Sequence, residues 1–427
     1  MKGFGGKDSS FQVTHNEISE MKAATERPWH IIIILLVALM PVTGNIFLYS
    51  FAMSSAGKEW GLTPFWAAVV GFVPLAAKPL GGILFGSLSD RYGRRKVLLL
   101  SILLSGISAA LSGLSFGPLD FGLYRLLLGI VLGGQWAVTM TLVSEIWQAE
   151  ERGKAVGVVQ TSFPAGFVYA SLIAVWASGE FSWRTLLMLG ALPAAFAAPL
   201  AYFAIRESPL WIRDVSGTGN EGSSYRELFE GDLLKYTVLG TLIMFIGSFG
   251  AWLTNPWIPV YLGQLGMTAE SIPLLTLLIM LGGLAGYTLY GFISDRLGRR
   301  QAFRLYFIGM AGALVLFGFL PSQSWFTDQM GSPAAWIVIL GGSVAFCLGY
   351  FSGYGTLFAE LFPTHLRSRG LGFCYSVGGI GASIAPAATG YLSSIFGLGH
   401  SFMLASLVFI IGSLLVQVFP ETRGKRL

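Results

Sequence analysis

Twelve apolar stretches of roughly 20 residues each, parted by short polar interruptions, leave this chain few ways to fold. They lie near 30–52, 63–86, 97–117, 121–145, 153–177, 184–205, 234–254, 271–293, 303–321, 334–359, 368–392 and 400–420. A helix of that length crosses about 30 Å of hydrocarbon, and in lipid only helices and closed barrels keep every backbone amide and carbonyl bonded. Charged residues are 11% of the 427 and apolar ones 54%, with a mean hydropathy of +0.66, outside the range of soluble globular domains. The expected fold class is therefore an all-α membrane protein with twelve transmembrane helices. The first run is too long, and starts too far behind a polar stretch, for a cleaved signal peptide, so it is expected to stay.

Orientation follows from the bases, because Lys and Arg in short loops resist translocation. With the N-terminus inside, 23 of the 27 bases fall on the cytoplasmic face of the inner membrane, together with both termini. Lys58 and Arg184 fall outside, and Lys78 and Arg125 lie within spans. The net charge of +5 is thus a topology signal: the lipid bilayer is the expected partner and nucleic acid is not. Cys347 and Cys374 both fall in spans and read as small buried hydrophobes, so no disulfide, metal or cofactor is expected. No nucleophile, base or metal constellation of an enzyme appears in the spans.

A short charged motif is written twice. Asp90, Arg91, Gly93, Arg94 and Arg95 recur 205 residues later as Asp295, Arg296, Gly298, Arg299 and Arg300, each set joining the second and third span of its half. Glu145 with Arg152 seven residues on, and Glu360 with Arg367 seven residues on, repeat between the fourth and fifth spans. The chain divides into a cytoplasmic N-terminal segment (1–29), a six-helix bundle (30–205), a Ser- and Gly-rich cytoplasmic linker (206–233), a second six-helix bundle (234–420) and a tail (421–427). The linker is expected to hold a short surface helix around Ser224 to Glu230.

The stretch from Gly86 to Lys96, "GSLSDRYGRRK", its copy from Gly291 and the duplicated acid-to-Arg spacing resemble the major facilitator superfamily over about 30–424. "RESPLW" after the sixth span and "PETRG" at 420–424 are similar to sugar porters and to metabolite and organic-acid symporters, and "KPLGGILFG" resembles a run of metabolite:proton symporters. The resemblance implies two pseudo-symmetric bundles with a site between them, alternating access, and spans 1, 4, 7 and 10 facing the central path. It also matches Arg125 to the family's span 4 arginine.

The duplicated charges read physically as a latch. A carboxylate at a helix end accepts from backbone amides and from Arg, and a glycine permits the tight turn. Asp90 and its bases are expected to pair with the linker end of span 11, Asp295 with span 5, and Glu145 and Glu360 with residues of the Arg94 and Arg299 class. The set forms a cytoplasmic gate.

Among the 22 acids none lies in the middle of a span, and the four His are terminal, so the interior holds two cations and no anion. Lys78 lies twelve residues before Asp90, about 18 Å along the helix and near the midplane. A charge there costs of order 2.5 kcal/mol or more and marks a functional site by default. For Arg125, with Gly129, Leu132 and Trp136 on its helical face, pairing with Asp120 at the outer end is the alternative to substrate binding. The two cations favour a small organic anion, a monocarboxylate foremost. Asn45, Gln160, Trp252, Asn255, Tyr287, Tyr350, Tyr354 and Tyr375 are candidates to complete the pocket, with Asn45, Asn255, Tyr350 and Tyr354 weighted by their spans; Trp257 and Tyr290 are weaker.

Many proton-coupled relatives carry an acid in span 1, where this chain reads "PVTGNIFLYSFA". Three couplings remain: the cargo's own carboxyl carries the proton, Lys78 does, or one anion exchanges for another. The expected protein is a secondary transporter, a monomer, with a zwitterion, quaternary amine or sugar as the alternative cargo and a non-transporting sensor as the alternative class.

Overall fold

The computed structural model describes residues 29–62, 64–176, 182–218, 224–268, 270–323 and 333–427. Among them twelve helices are long and apolar enough to cross a membrane: α1 (Trp29–Tyr49), α2 (Val70–Tyr92), α3 (Arg94–Gly113), α4 (Pro118–Ile146), α5 (Arg152–Ala174), α6 (Trp183–Ala204), α7 (Gly231–Gln264), α8 (Ile272–Leu297), α9 (Arg299–Phe319), α10 (Ala334–Leu361), α11 (Thr364–Phe396) and α12 (Leu398–Val418). The described residues contain no strand. Residues 1–28, the greater part of the expected N-terminal segment, lie outside the described residues, as do 219–223 of the linker. The rest of the linker forms a helix at Pro209–Thr218 and, where the short surface helix is expected, a single 3-10 turn at Tyr225–Phe229 capped by Ser224.

The helices form two pseudo-symmetric six-helix bundles, and the same close contacts recur in each. α2 lies against α4 so tightly that a Cβ on Gly133 would strike the Lys78 carbonyl, and α8 lies against α10 so that a Cβ on Gly286 would strike that of Phe346. Without a hydrophobic force between helices in lipid, such backbone-to-backbone approach supplies the packing contact.

One residue separates α2 from α3, and one separates α8 from α9. Gly93 and Gly298 occupy these positions at φ 102° and 98°, in a region L side chains rarely adopt. Each glycine also lies under a carboxylate, Glu207 and Glu421 respectively, whose oxygens a Cβ would hit. Those carboxylates cap the following helix: Glu207 accepts from the amides of Arg94 (2.8 Å) and Arg95 (3.2 Å), and Glu421 from those of Arg299 (2.9 Å) and Arg300 (3.2 Å). Sharp turn and cap together bring the charged loops to one end of the molecule, the latch end.

At the opposite end the first helix runs on to Glu59. Arg184 Nη1 (2.7 Å) and Trp183 Nε1 (2.8 Å) donate to the Glu59 carboxylate and tie α1 to the start of α6. The hydrogen bond from Arg184, then that from Trp183, holds this carboxyl down at about 2. The pair is exposed, so it aligns the two ends more than it stabilises them.

Gly93→Ala and Gly298→Ala are each expected to lower the melting temperature of the purified protein by several degrees, since left-handed strain costs about 1–2 kcal/mol. Gly122→Ala, on α4 with open space around it, is the control, expected to leave the melt unchanged or raise it slightly.

Candidate functional site

At the latch end two carboxylates reach across the seam between bundles onto helix N-termini. Asp90 accepts from the amides of Ser368 (3.3 Å) and Arg369 (3.0 Å) at the start of α11. Asp295 accepts from those of Gly153 and Lys154, both at 2.9 Å, at the start of α5. The unsatisfied amides and the positive end of a helix dipole make such a terminus a natural seat for a carboxylate.

Two further carboxylates are each shared by arginines of both bundles. Glu145 takes Arg94 of its own half through Nε and Nη2, both at 3.1 Å, and Arg367 of the other half at 2.6 Å. Glu360 takes Arg299 of its own half at 3.1 and 2.9 Å and Arg152 of the other at 2.8 Å. All six side chains are buried. Arg95 donates to the Tyr202 carbonyl (2.7 Å) and Arg300 to Gln417 (3.2 Å), each within its own half, while Arg91 and Arg296 are exposed.

The tail adds members that the motifs do not announce. Thr422 donates to Glu360 at 2.6 Å, Lys425 Nζ donates to the Glu360 carbonyl at 2.6 Å, and the Lys425 carbonyl accepts from Arg152 at 3.1 Å. Residues 422–425 thus bridge both bundles. The signal available in the sequence is a second carboxyl repeat, Glu207 in "RESPLW" and Glu421 in "PETRG".

Above the latch, at the seam, three candidates gather around a residue that is not one of them. Lys78 of α2 is 8% exposed, and no hydrogen bond or ion pair joins its ammonium to any described residue. Nζ lies 3.6 Å from the centroid of the Tyr375 ring of α11. That ring stacks on Trp136 of α4, centroids 3.4 Å apart and planes 8° from parallel. The Trp136 indole donates through Nε1 to Gln160 Oε1 of α5 at 2.7 Å. Tyr287 stacks instead on Phe351 of α10, with centroids 6.4 Å apart and planes 6° from parallel. The only hint of Trp136 in the sequence is its place on the helical face of Arg125.

Other candidates point elsewhere. Tyr350 and Tyr354 donate to the carbonyls of Gly247 (2.8 Å) and Ile243 (3.0 Å), fastening α10 to α7 rather than offering free hydroxyls. Asn45 donates to the Pro41 carbonyl of its own helix at 3.1 Å and lies against Gly190 of α6. Trp252, Asn255 and Trp257 are half-buried near the far end of α7 and make no hydrogen bond to the Lys78 cluster. Tyr290 meets Phe303 and Tyr306 edge to face in the core.

Arg125 is fully buried, donates to the Asn45 carbonyl at 3.1 Å and sits 4.6 Å from the Tyr49 ring centroid. Asp120 instead accepts from the amides of Phe116 (2.7 Å) and Gly117 (2.8 Å) and caps α4, which replaces the expected Asp120 partnership. Gly133 backs Lys78, so Arg125, eight residues earlier on α4, lies about 12 Å further from the latch.

Two six-helix bundles, a charged latch and a lone buried cation at their seam define a class of membrane carrier. The Major Facilitator Superfamily profile matches residues 35–323 and 240–426, and the chain belongs to that family. It is 30% identical over 386 residues to a probable 4-methylmuconolactone transporter of Cupriavidus pinatubonensis, covering 88% of this chain and 87% of the relative. It is 28% identical over 402 residues to the cis,cis-muconate transport protein of Acinetobacter baylyi, covering 91% and 93%. Among solved structures the proton:xylose symporter XylE superposes with a TM-score of 0.77 at 20% identity, over 93% of this chain and 97% of that one, a likeness of fold. The protein is a multi-pass secondary transporter and not an enzyme.

Glu360→Gln is expected to lower stability by about 3–5 kcal/mol, because Arg152 would be left buried without its counter-charge and Arg299 would keep only Asp295, 2.6 Å away. Arg226→Ala, which breaks an exposed pair with Glu230, is expected to stay within about 0.5 kcal/mol. Thermal melts of the two variants in one detergent compare them directly.

Proposed function

We propose that this transporter moves a small organic anion, a monocarboxylate foremost, across the inner membrane. The bundle at 30–205 and the bundle at 234–420 rock against one another about a site at their seam, and the chain acts as a monomer. The observation that carries this reading is Lys78. A buried ammonium with a ring over it, and no carboxylate beside it among the described residues, is an incomplete pair. The cargo's carboxylate completes it, which gives binding and charge selection in one step. Cationic cargo such as a quaternary amine meets repulsion from Lys78 and from Arg125. The relative named for cis,cis-muconate supports an organic anion by its name.

The latch end is the cytoplasmic side in this reading, with the 1–29 segment, the 206–233 linker and the 421–427 tail all facing it. The contacts made by Asp90, Asp295, Arg152 and Arg367 across the seam hold that side shut. On opening, Glu145 keeps Arg94 and Glu360 keeps Arg299, because those partners belong to their own halves. No carboxylate is stranded without a counter-charge, so each gating pair can break cheaply.

No Asp, Glu or His lies in the middle of a span. A proton therefore travels on the cargo carboxyl or on Lys78, or else one anion is exchanged for another. Uptake of radiolabelled carboxylate into proteoliposomes under an imposed pH gradient, compared with uptake against a preloaded anion, separates symport from exchange.

Lys78→Ala is expected to lower carboxylate uptake about 100-fold or more, the cost of removing one partner of a desolvated charge pair; a variant as active as the parent would sink the assignment. Asp90→Asn is expected to increase labelling, from the latch side, of a cysteine placed at Ser376 in a background lacking Cys347 and Cys374. Ser376 lies against Gly82 across the seam, so unchanged labelling would mean that Asp90 does not hold that side closed.

A further inference from the structure

Lys78 accounts for a charge on the cargo; the rings beside it bear on what that charge is attached to. The ammonium lies 3.6 Å from the Tyr375 centroid and the Trp136 indole 3.4 Å from the same centroid. Both cannot occupy one face of the ring at van der Waals distance, so Tyr375 is the middle layer of a three-layer stack. The outer layers, Lys78 on α2 and Trp136 on α4, belong to one bundle. The middle layer, on α11, belongs to the other.

We propose that Tyr375 stands where the cargo's ring goes: the transporter selects a flat, conjugated carboxylate that displaces Tyr375 and stacks on Trp136. This rests on the organic-anion reading above and on the two bundles moving apart at the seam. Withdrawal of α11 leaves a slot about 7 Å across between indole and ammonium. That spacing takes one aromatic or conjugated layer, whose π-face thickness is about 3.4–3.5 Å, with contact on both sides. A saturated ring is thicker and lacks the quadrupole that favours both an indole face and a cation.

The edge of the slot is suited to the carboxylate. Gln160 accepts from the Trp136 indole N–H through Oε1, and its side chain also faces the Tyr375 phenol, so withdrawal of Tyr375 leaves the Gln160 amide N–H2 as a donor beyond the edge of the indole plane. A ring lying on Trp136 would present an in-plane carboxylate to that donor, and the Lys78 ammonium would have to swing from the ring face toward the same edge to pair with it. In the structure the cation over the Tyr375 face takes the place of that ion pair. Trp136 is thus the specificity-determining platform, Tyr375 its internal substitute and Lys78 the shared charge.

The test is ligand-induced thermal stabilisation of the purified full-length chain, titrated with benzoate and with cyclohexanecarboxylate, acids of equal charge that differ in flatness. The parent is expected to bind benzoate about tenfold more tightly than cyclohexanecarboxylate. In Trp136→Leu that preference is expected to collapse to less than about twofold, while Trp136→Phe, which restores a flat face, is expected to recover part of it. The proposal is overturned if the parent does not prefer benzoate, if it binds neither acid, or if Trp136→Leu weakens both acids equally, which would make the stack a gate contact only. Should Trp136→Leu fail to fold, the parent preference and its size in Trp136→Phe decide. Lys78→Ala separates the two readings: loss of both acids there with no preference in the parent defeats the ring platform and leaves the organic-anion carrier standing.

Discussion

Charge inside a low-dielectric bundle has to be matched by opposite charge, and most of this structure can be read from where that matching succeeds. Glu145 and Glu360 each gather two arginines, and Asp90 and Asp295 each take two backbone amides at a helix start. Around these carboxylates the loops turn, the helices cap and the bundles meet. Lys78 and Arg125 depart from the pattern, each with an aromatic ring where a carboxylate would be expected. Of the two, Lys78 is the one at the seam, deeper than the latch, on the helix that also carries Asp90.

The duplication gives the latch its mechanical form. Each half contributes one glutamate, one arginine that stays with it and one arginine that belongs to its neighbour. A seam built this way can separate without leaving a bare carboxylate in the membrane, which keeps the difference between closed and open states small enough for a cargo to bias. Glycines along the same seam reinforce it. Gly82 meets Gly372, and Gly291 meets Gly153, with backbone touching backbone. The halves are not identical, however: the chain continues from Glu207 into the linker helix, whereas after Glu421 it folds over Glu360 and Arg152.

The candidate residues differ in how directly their surroundings could be read. Asp90 and Asp295 lie in a motif whose charge, glycine and spacing leave few partners, and each accepts from two amides at a helix start of the other bundle. Tyr350 and Tyr354 share a face at i, i+4 spacing, but that face turns to α7 and its carbonyls take the hydroxyls. Asn45 likewise faces α6 instead of the seam. Trp136, ordinary in sequence, becomes central because α11 places Tyr375 upon it. Spacing along a helix fixes which residues share a face; it does not say which neighbour the face meets.

The amino-acid order settles what is local: twelve apolar spans, because hydrocarbon demands unbroken helices of a certain length; a written-twice charged loop; and two cations with no acid in the middle of any span to answer them. Tertiary structure alone decided the rest: that the latch glutamates hold arginines from both bundles, that residues 422–425 join them, and that Lys78, Tyr375 and Trp136 form one stack. The physical reason is that rotation about a helix axis and the crossing of one helix over another are set by close packing among all twelve. A turn of a few tens of degrees, invisible in any local pattern, moves a side chain from a neighbour's backbone to the path between bundles.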